Sequence, residues 1–194
     1  MKLSTVFTRL TPNENNWQKP SGRGGKCRSA NPSNPLYEQR HGFGWEEWLF
    51  EDYQSGKETC VGFLQAFNDK NKHITSIEII HLYTRICNGI EPKQFYVGCI
   101  KDVKVLPENL RAASTQKKEQ KQKDLKEVKI TNFPDDEPMW DNCFNIQFER
   151  KNVVYHENFL EKEIQLNRGQ FRFSLYDLED PKHGNILQQI NNIT

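Results

Sequence analysis

The chain has 194 residues and no run of about 18 apolar residues, so no stretch of it reads as a membrane-spanning helix. Its first residues, Met1-Lys2-Leu3-Ser4-Thr5, lack the long apolar core of a secretory signal, and the expected location is the cytoplasm. Cysteine is sparse: Cys27, Cys60, Cys87, Cys99 and Cys143 are widely spaced and odd in number. No Cys-x-x-Cys or His-x-x-x-His pair seeds a zinc site, and five free thiols in a reducing compartment are expected. Signals of catalysis are missing too. There is no Gly-x-Ser-x-Gly elbow, no phosphate loop ending in Gly-Lys-Ser/Thr, no His-Glu-x-x-His and no dinucleotide fingerprint. No cofactor or metal is expected. Asp135, Asp136 and Glu137 lie in a proline-flanked turn with no Glu-x-Lys nearby to complete a metal-dependent nuclease centre.

Net charge is almost absent, at +1, but it is unevenly placed. Residues 1–45 carry seven basic and two acidic groups, a net of +5, which leaves −4 for the remainder. A basic first third suits an anionic ligand on one face. Apolar residues make up 35% of the chain and mean hydropathy is −0.86, a polar balance. Twelve Phe, six Tyr and four Trp nevertheless argue against disorder, because disordered chains are poor in aromatics.

Hydrophobic patterning predicts strands over 3–10, 58–67, 74–86, 95–106, 142–150 and 170–178. The third and fourth would pair as a hairpin. Residues 13–35 read as a long loop, and long loops inside compact domains are usually functional or disordered. Over 107–129 an early proline is followed by helix formers; residues 117–129 hold six Lys and three acids, a solvated helix. A weaker piece covers 153–166. About six strands with two or three helices between them predict an α+β or small-barrel domain over 1–180. The polar tail 181–194 reads as a linker toward a further domain.

Aromatics gather near the irregular first third. Trp17 sits among Asn, Gln and Lys and reads as ligand-facing; Phe43, Trp45 and Trp48 lie in one motif, where Trp48 suits the core and Trp45 suits either role. A flat ring between indoles gains about 1–3 kcal/mol by stacking. Glu46 and Glu47, adjacent in sequence, point in different directions and do not form a glycosidase pair, although one could accept a ligand hydrogen bond. Ser21 and Tyr83 complete the candidate base cage. Arg23, Lys26, Arg28 and Arg40 supply cations for phosphate, beside the glycine-rich Ser21-Gly22-Arg23-Gly24-Gly25.

Five segments carry a resemblance. They are Thr8-Arg9-Leu10-Thr11-Pro12 followed by Trp17; His41-Gly42-Phe43-Gly44-Trp45-Glu46-Glu47-Trp48-Leu49-Phe50; His81-Leu82-Tyr83-Thr84; Phe95-Tyr96-Val97-Gly98-Cys99-Ile100; and Phe144-Asn145-Ile146-Gln147-Phe148. Over most of residues 3–178 the chain resembles the PUA-like superfamily, and within it the EVE/YTH-type modules of modification-dependent restriction systems. The resemblance implies a small twisted β-barrel of about six strands with flanking helices. Its pocket would hold a modified base flipped out of double-stranded DNA, with the nuclease or motor on another domain. The Lys-rich helix departs from the minimal module. Two alternatives stand beside this reading: a PUA-like module for RNA or a small nucleotide, and a nuclease assembled in a dimer.

Overall fold

The structure is a computed structural model that describes residues 1–24, 26, 37–67, 71, 73–87, 91–131, 133–134, 137–167 and 174–193. Strand β1 (Lys2–Leu10) is followed by two short helices, α1 (Tyr37–His41) and α2 (Glu51–Gln54). Next come β2 (Thr59–Gly62), β3 (Ser76–Ile86) and β4 (Lys93–Val105), then α3 (Thr115–Glu127). The remaining elements are β5 (Ile146–Glu149), β6 (Val153–Tyr155), β7 (Glu163–Ile164), β8 (Tyr176–Asp177) and α4 (Gly184–Ile193).

The β3–β4 hairpin and β1 are the elements whose β-branched and aromatic residues predicted strands, and they form the centre of the sheet. Strand order is β2-β5-β4-β3-β1-β8, and β6 and β7 also pair with β4. β1 runs parallel to β3; every other pairing is antiparallel. Among the described residues β2 and β8 end the path unpaired with each other, so the eight strands form an open mixed sheet. The expected six-stranded closed barrel is corrected in that respect, while the α+β class holds. Closure needs the two end strands to meet. Here β8 has two residues and β2 four.

Alternation along the central strands builds a core on each face. Val6, Ile80, Leu82 and Val97 join the largest cluster, with Trp17, Leu49, Phe50 and Phe148. Phe7, Tyr83 and Tyr96 face the other side, under Ile186 and Ile190 of α4. The segment expected to be a polar tail is therefore a packed helix; its apolar residues recur at 186, 187, 190 and 193, one helical stripe. In β4 the pairing passes from Leu82–Gly98 to Tyr83–Tyr96, skipping Val97. Gly98 has φ +146°, and a Cβ there would strike the Val154 carbonyl, so this bulge depends on glycine.

Other expectations shift locally. β2 stops at Gly62 and gives way to a 3-10 turn, Gln65–Phe67. α3 starts at Thr115, where the Ser114 side chain caps Lys117 N–H at 3.3 Å. That helix is not uniformly solvated, since Lys121, Asp124 and Leu125 are buried. Trp48 Nε1 donates to Asp124 at 2.8 Å, and the Lys121 ammonium lies 4.1 Å from the Trp48 ring centre. The predicted strand at 170–178 is seen only at Tyr176–Asp177, and residues 170–173 lie outside the described residues. Cys60, Cys99 and Cys143 are free and buried, whereas Cys87 is disulfide-bonded. The expectation of five free thiols is thus corrected at Cys87; spacing along the chain does not show which cysteines fold to within bonding distance.

Candidate functional site

Beyond the end of β1 the chain turns through residues 11–24 in a loop organised by two buried side chains, Asn13 and Glu47. Asn13 Oδ1 accepts from the backbone N–H of Asn15 at 2.7 Å and of Trp17 at 2.8 Å. Its Nδ2 donates to Lys19 O at 2.8 Å and to Glu47 Oε2 at 2.7 Å. Glu47 also accepts from Ser21 N at 2.8 Å, Ser21 Oγ at 3.2 Å and Gly44 N at 2.9 Å, and it ion-pairs with Lys26 at 3.0 Å. Glu46 accepts from Thr11 Oγ1 at 2.9 Å and Gln65 N at 3.2 Å. Burial pushes the Glu46 carboxyl up to about 7, with hydrogen bonds opposing and the Glu38 charge assisting. Burial raises Glu47 as well, against the pull of Lys26.

These bonds hold two consecutive residues, Asn16 and Trp17, in the left-handed region at φ 54° each. For a tryptophan this is a strained conformation, costing on the order of 1–3 kcal/mol. Phe50 N donates to Trp17 O at 2.8 Å, and the Trp17 indole donates to Thr11 O at 2.8 Å, which locks the turn.

The loop forms one wall of a cavity of about 640 Å³ at the end of the parallel β1–β3 pair. Pro12, Asn13, Glu14 and Asn16 come from the loop. Ile86, Glu91, Lys93 and Phe95 come from the β3–β4 hairpin, and residues 157–161 close the far side. Phe95 and Phe159 meet edge to face at 6.5 Å and form an apolar corner. Phe159 rests on Trp17 at 5.2 Å, so the strained turn supports the cavity from behind.

The aromatic residues expected to form a cage are core residues. Trp17 is fully buried between Phe159 and Tyr155. Phe43, Trp45 and Trp48 belong to a separate cluster with Trp140 and Phe144. There Trp45 meets Trp48 at 5.7 Å and Trp140 at 5.1 Å. The structure does not bring Trp17 and Trp45 together around a slot, because each indole is covered by apolar neighbours. Tyr83 is stacked on Phe7 at 4.5 Å on the opposite face of the sheet. Glu46 and Ser21 serve the loop.

Of the cations expected to meet phosphate, Lys26 is committed to Glu47 and to the Gly22 carbonyl. Arg23 is exposed and donates to Gln39 O at 3.0 Å, and Arg40 is exposed on α1. Arg28 lies outside the described residues.

Sequence reading missed Phe95, Phe159 and Asn158 as cavity residues. The signal available was the polar run Asn13-Glu14-Asn15-Asn16, three amides and a carboxylate. Among the described residues no group of three or more His, Cys, Asp or Glu is placed to hold a metal. No helix there is long and apolar enough to cross a membrane. Fold and site define an α+β chain with an open mixed sheet and an amide- and carboxylate-rimmed cavity. No protein-family model, curated protein or solved structure matches it.

Proposed function

We propose that the chain is a recognition module without catalysis of its own, which takes one modified base, turned out of a DNA strand, into the 640 Å³ cavity. In this reading it is the specificity part of a modification-dependent restriction or defence system in the cytoplasm, and a partner domain cuts or moves the DNA. The observation that carries it is the cavity itself. Two phenyl rings give an apolar corner for a flat heterocycle, and side chains from the loop and from residues 157–161 surround its polar edge. Volume and lining fit a single ring system, for which pockets of about 300–1,000 Å³ are usual. The strained Asn16–Trp17 turn adds support, since backbone strain concentrates at functional sites. Base recognition passes in this proposal from the buried indoles to Phe95, Phe159 and the amides of Asn16 and Asn158. Strand contacts fall to the exposed Arg23 and Arg40.

A titration of single and double strands carrying methylcytosine, hydroxymethylcytosine, methyladenine or phosphorothioate, at two salt concentrations, tests the proposal. One modification should bind about tenfold or more tightly than unmodified DNA, the range a pocket reaches for one small group. Arg23→Ala and Arg40→Ala should weaken all DNAs and flatten the salt dependence. Equal affinity for every strand overturns the reading. The glutamates around the cavity favour a second reading, a module for a free nucleoside, which brings no phosphate to an acidic rim.

A further inference from the structure

We infer that this cavity selects positively charged ligands, seating a flat apolar body against Phe95 and Phe159 and an ammonium or guanidinium group among its glutamates. The inference rests on the cavity being the ligand site, and not on the ligand being a base. Glu14, Glu91, Glu157 and Glu161 reach the lining from three separate stretches of chain, and all four are exposed. Among the described residues the lining has one cation, Lys93, which is held by Glu163 at 2.9 Å.

Elsewhere on the surface carboxylates stand against ammonium groups, as in Lys2–Glu78 and Lys19–Glu127, both at 2.7 Å. None of the four cavity glutamates enters an ion pair among the described residues. Like charges gathered around an apolar, low-dielectric hollow focus a negative potential into it. A cation relieves that repulsion, and an anion adds to it. An acidic patch on an open surface would be screened by water and salt. Here the carboxylates surround a hollow with an apolar floor, so a ligand that fills the floor also displaces the water that screens them.

Three probes of nearly equal shape separate charge from shape: benzylamine, benzyl alcohol and benzoate. Calorimetric titration at low and high salt should show benzylamine binding about tenfold or more tightly than benzyl alcohol, a difference of about 1.4 kcal/mol. Benzoate should not bind, and the preference for benzylamine should shrink at high salt. The double variant Glu14→Gln/Glu157→Gln changes only exposed side chains. It should lose most of the preference while its circular dichroism and melting temperature stay those of the parent. The inference is overturned if benzyl alcohol or benzoate matches benzylamine, if benzylamine does not bind, or if the double variant keeps the preference. Modified DNA that binds while benzylamine does not sinks this inference and leaves the base-reading proposal standing. Benzylamine that binds while every DNA binds equally does the reverse.

Discussion

Asn13 and Glu47, 34 positions apart, are joined by a 2.7 Å hydrogen bond between buried side chains, and the conformation of the whole 11–24 loop runs through that pair. Asn13→Ala leaves the Trp17 and Asn15 N–H groups without their acceptor, while Glu47 Oε2 keeps the two donors of Ser21. Each buried group left unsatisfied costs about 1–3 kcal/mol, so a loss of roughly 2–4 kcal/mol is expected in urea unfolding. Asn13→Asp keeps the acceptor but sets a second carboxylate against Glu47, and it should destabilise at least as much.

Two buried groups give opposite slopes of stability with pH. The Glu46 carboxyl rises from 4.5 to about 7 on folding, so its contribution falls as pH climbs through that interval, by on the order of 3 kcal/mol. His81, whose Nδ1 lies 2.9 Å from Tyr96 OH, is lowered by burial from 6.5 to about 4, so its contribution is lost as pH falls from 6.5 toward 4. Between pH 4.5 and 6.5 the two offset each other. Glu46→Gln should therefore expose a stability that rises with pH across this interval, and His81→Gln one that declines. Denaturant midpoints measured at several pH values check both, and parallel curves for the two variants would refute the assignment.

Lys121 is the buried ammonium that docks α3. It lies over Trp48 and 3.5 Å from Glu51, and burial lowers its amine to about 8 against the partial support of Glu51. A base depressed on folding costs stability as pH falls from 10.5 through 8. Lys121→Met keeps the stem and removes the desolvated charge, so at neutral pH it should be neutral or stabilising. Lys121→Ala, which also empties the space over Trp48, should cost about 2–4 kcal/mol. Thermal melts at pH 7 and pH 10 read the contrast, and the parent should gain on the Met variant at the higher pH.

Gly98→Ala should be among the most damaging single changes, at about 3 kcal/mol or more. The new methyl would meet the Val154 carbonyl, and the backbone there has positive φ. Hydrogen exchange should show β6 amides losing protection first, because β6 pairs with β4 at Gly98, Cys99 and Ile100.

The central strands were legible because their apolar residues alternate, and alternation is a local property. β1, β3 and β4 lie within a residue or two of their predicted ends. The cavity was not legible, because Phe95 and Phe159 look in sequence like any other strand or core residue and become neighbours through long-range packing of residues 156–164 along β4. Trp17 misled for a related reason. Its polar neighbours suggest an exposed loop, yet the polar groups of Asn13 and Glu47 turn inward to satisfy the backbone and carry the indole into the core. The Lys-rich helix misled through composition: three of its lysines, at 117, 118 and 121, point at acids and rings.

Eight of the nine residues of β1 pair with residues of β3 that lie 74 positions later. During synthesis β1 therefore leaves the ribosome well before its partner exists, and Val6 and Leu10 stay without their β3 neighbours until translation has passed Thr84. Any fragment ending before β3 carries a sticky, unmatched edge, and refolding of the whole chain must wait for a rare long-range encounter.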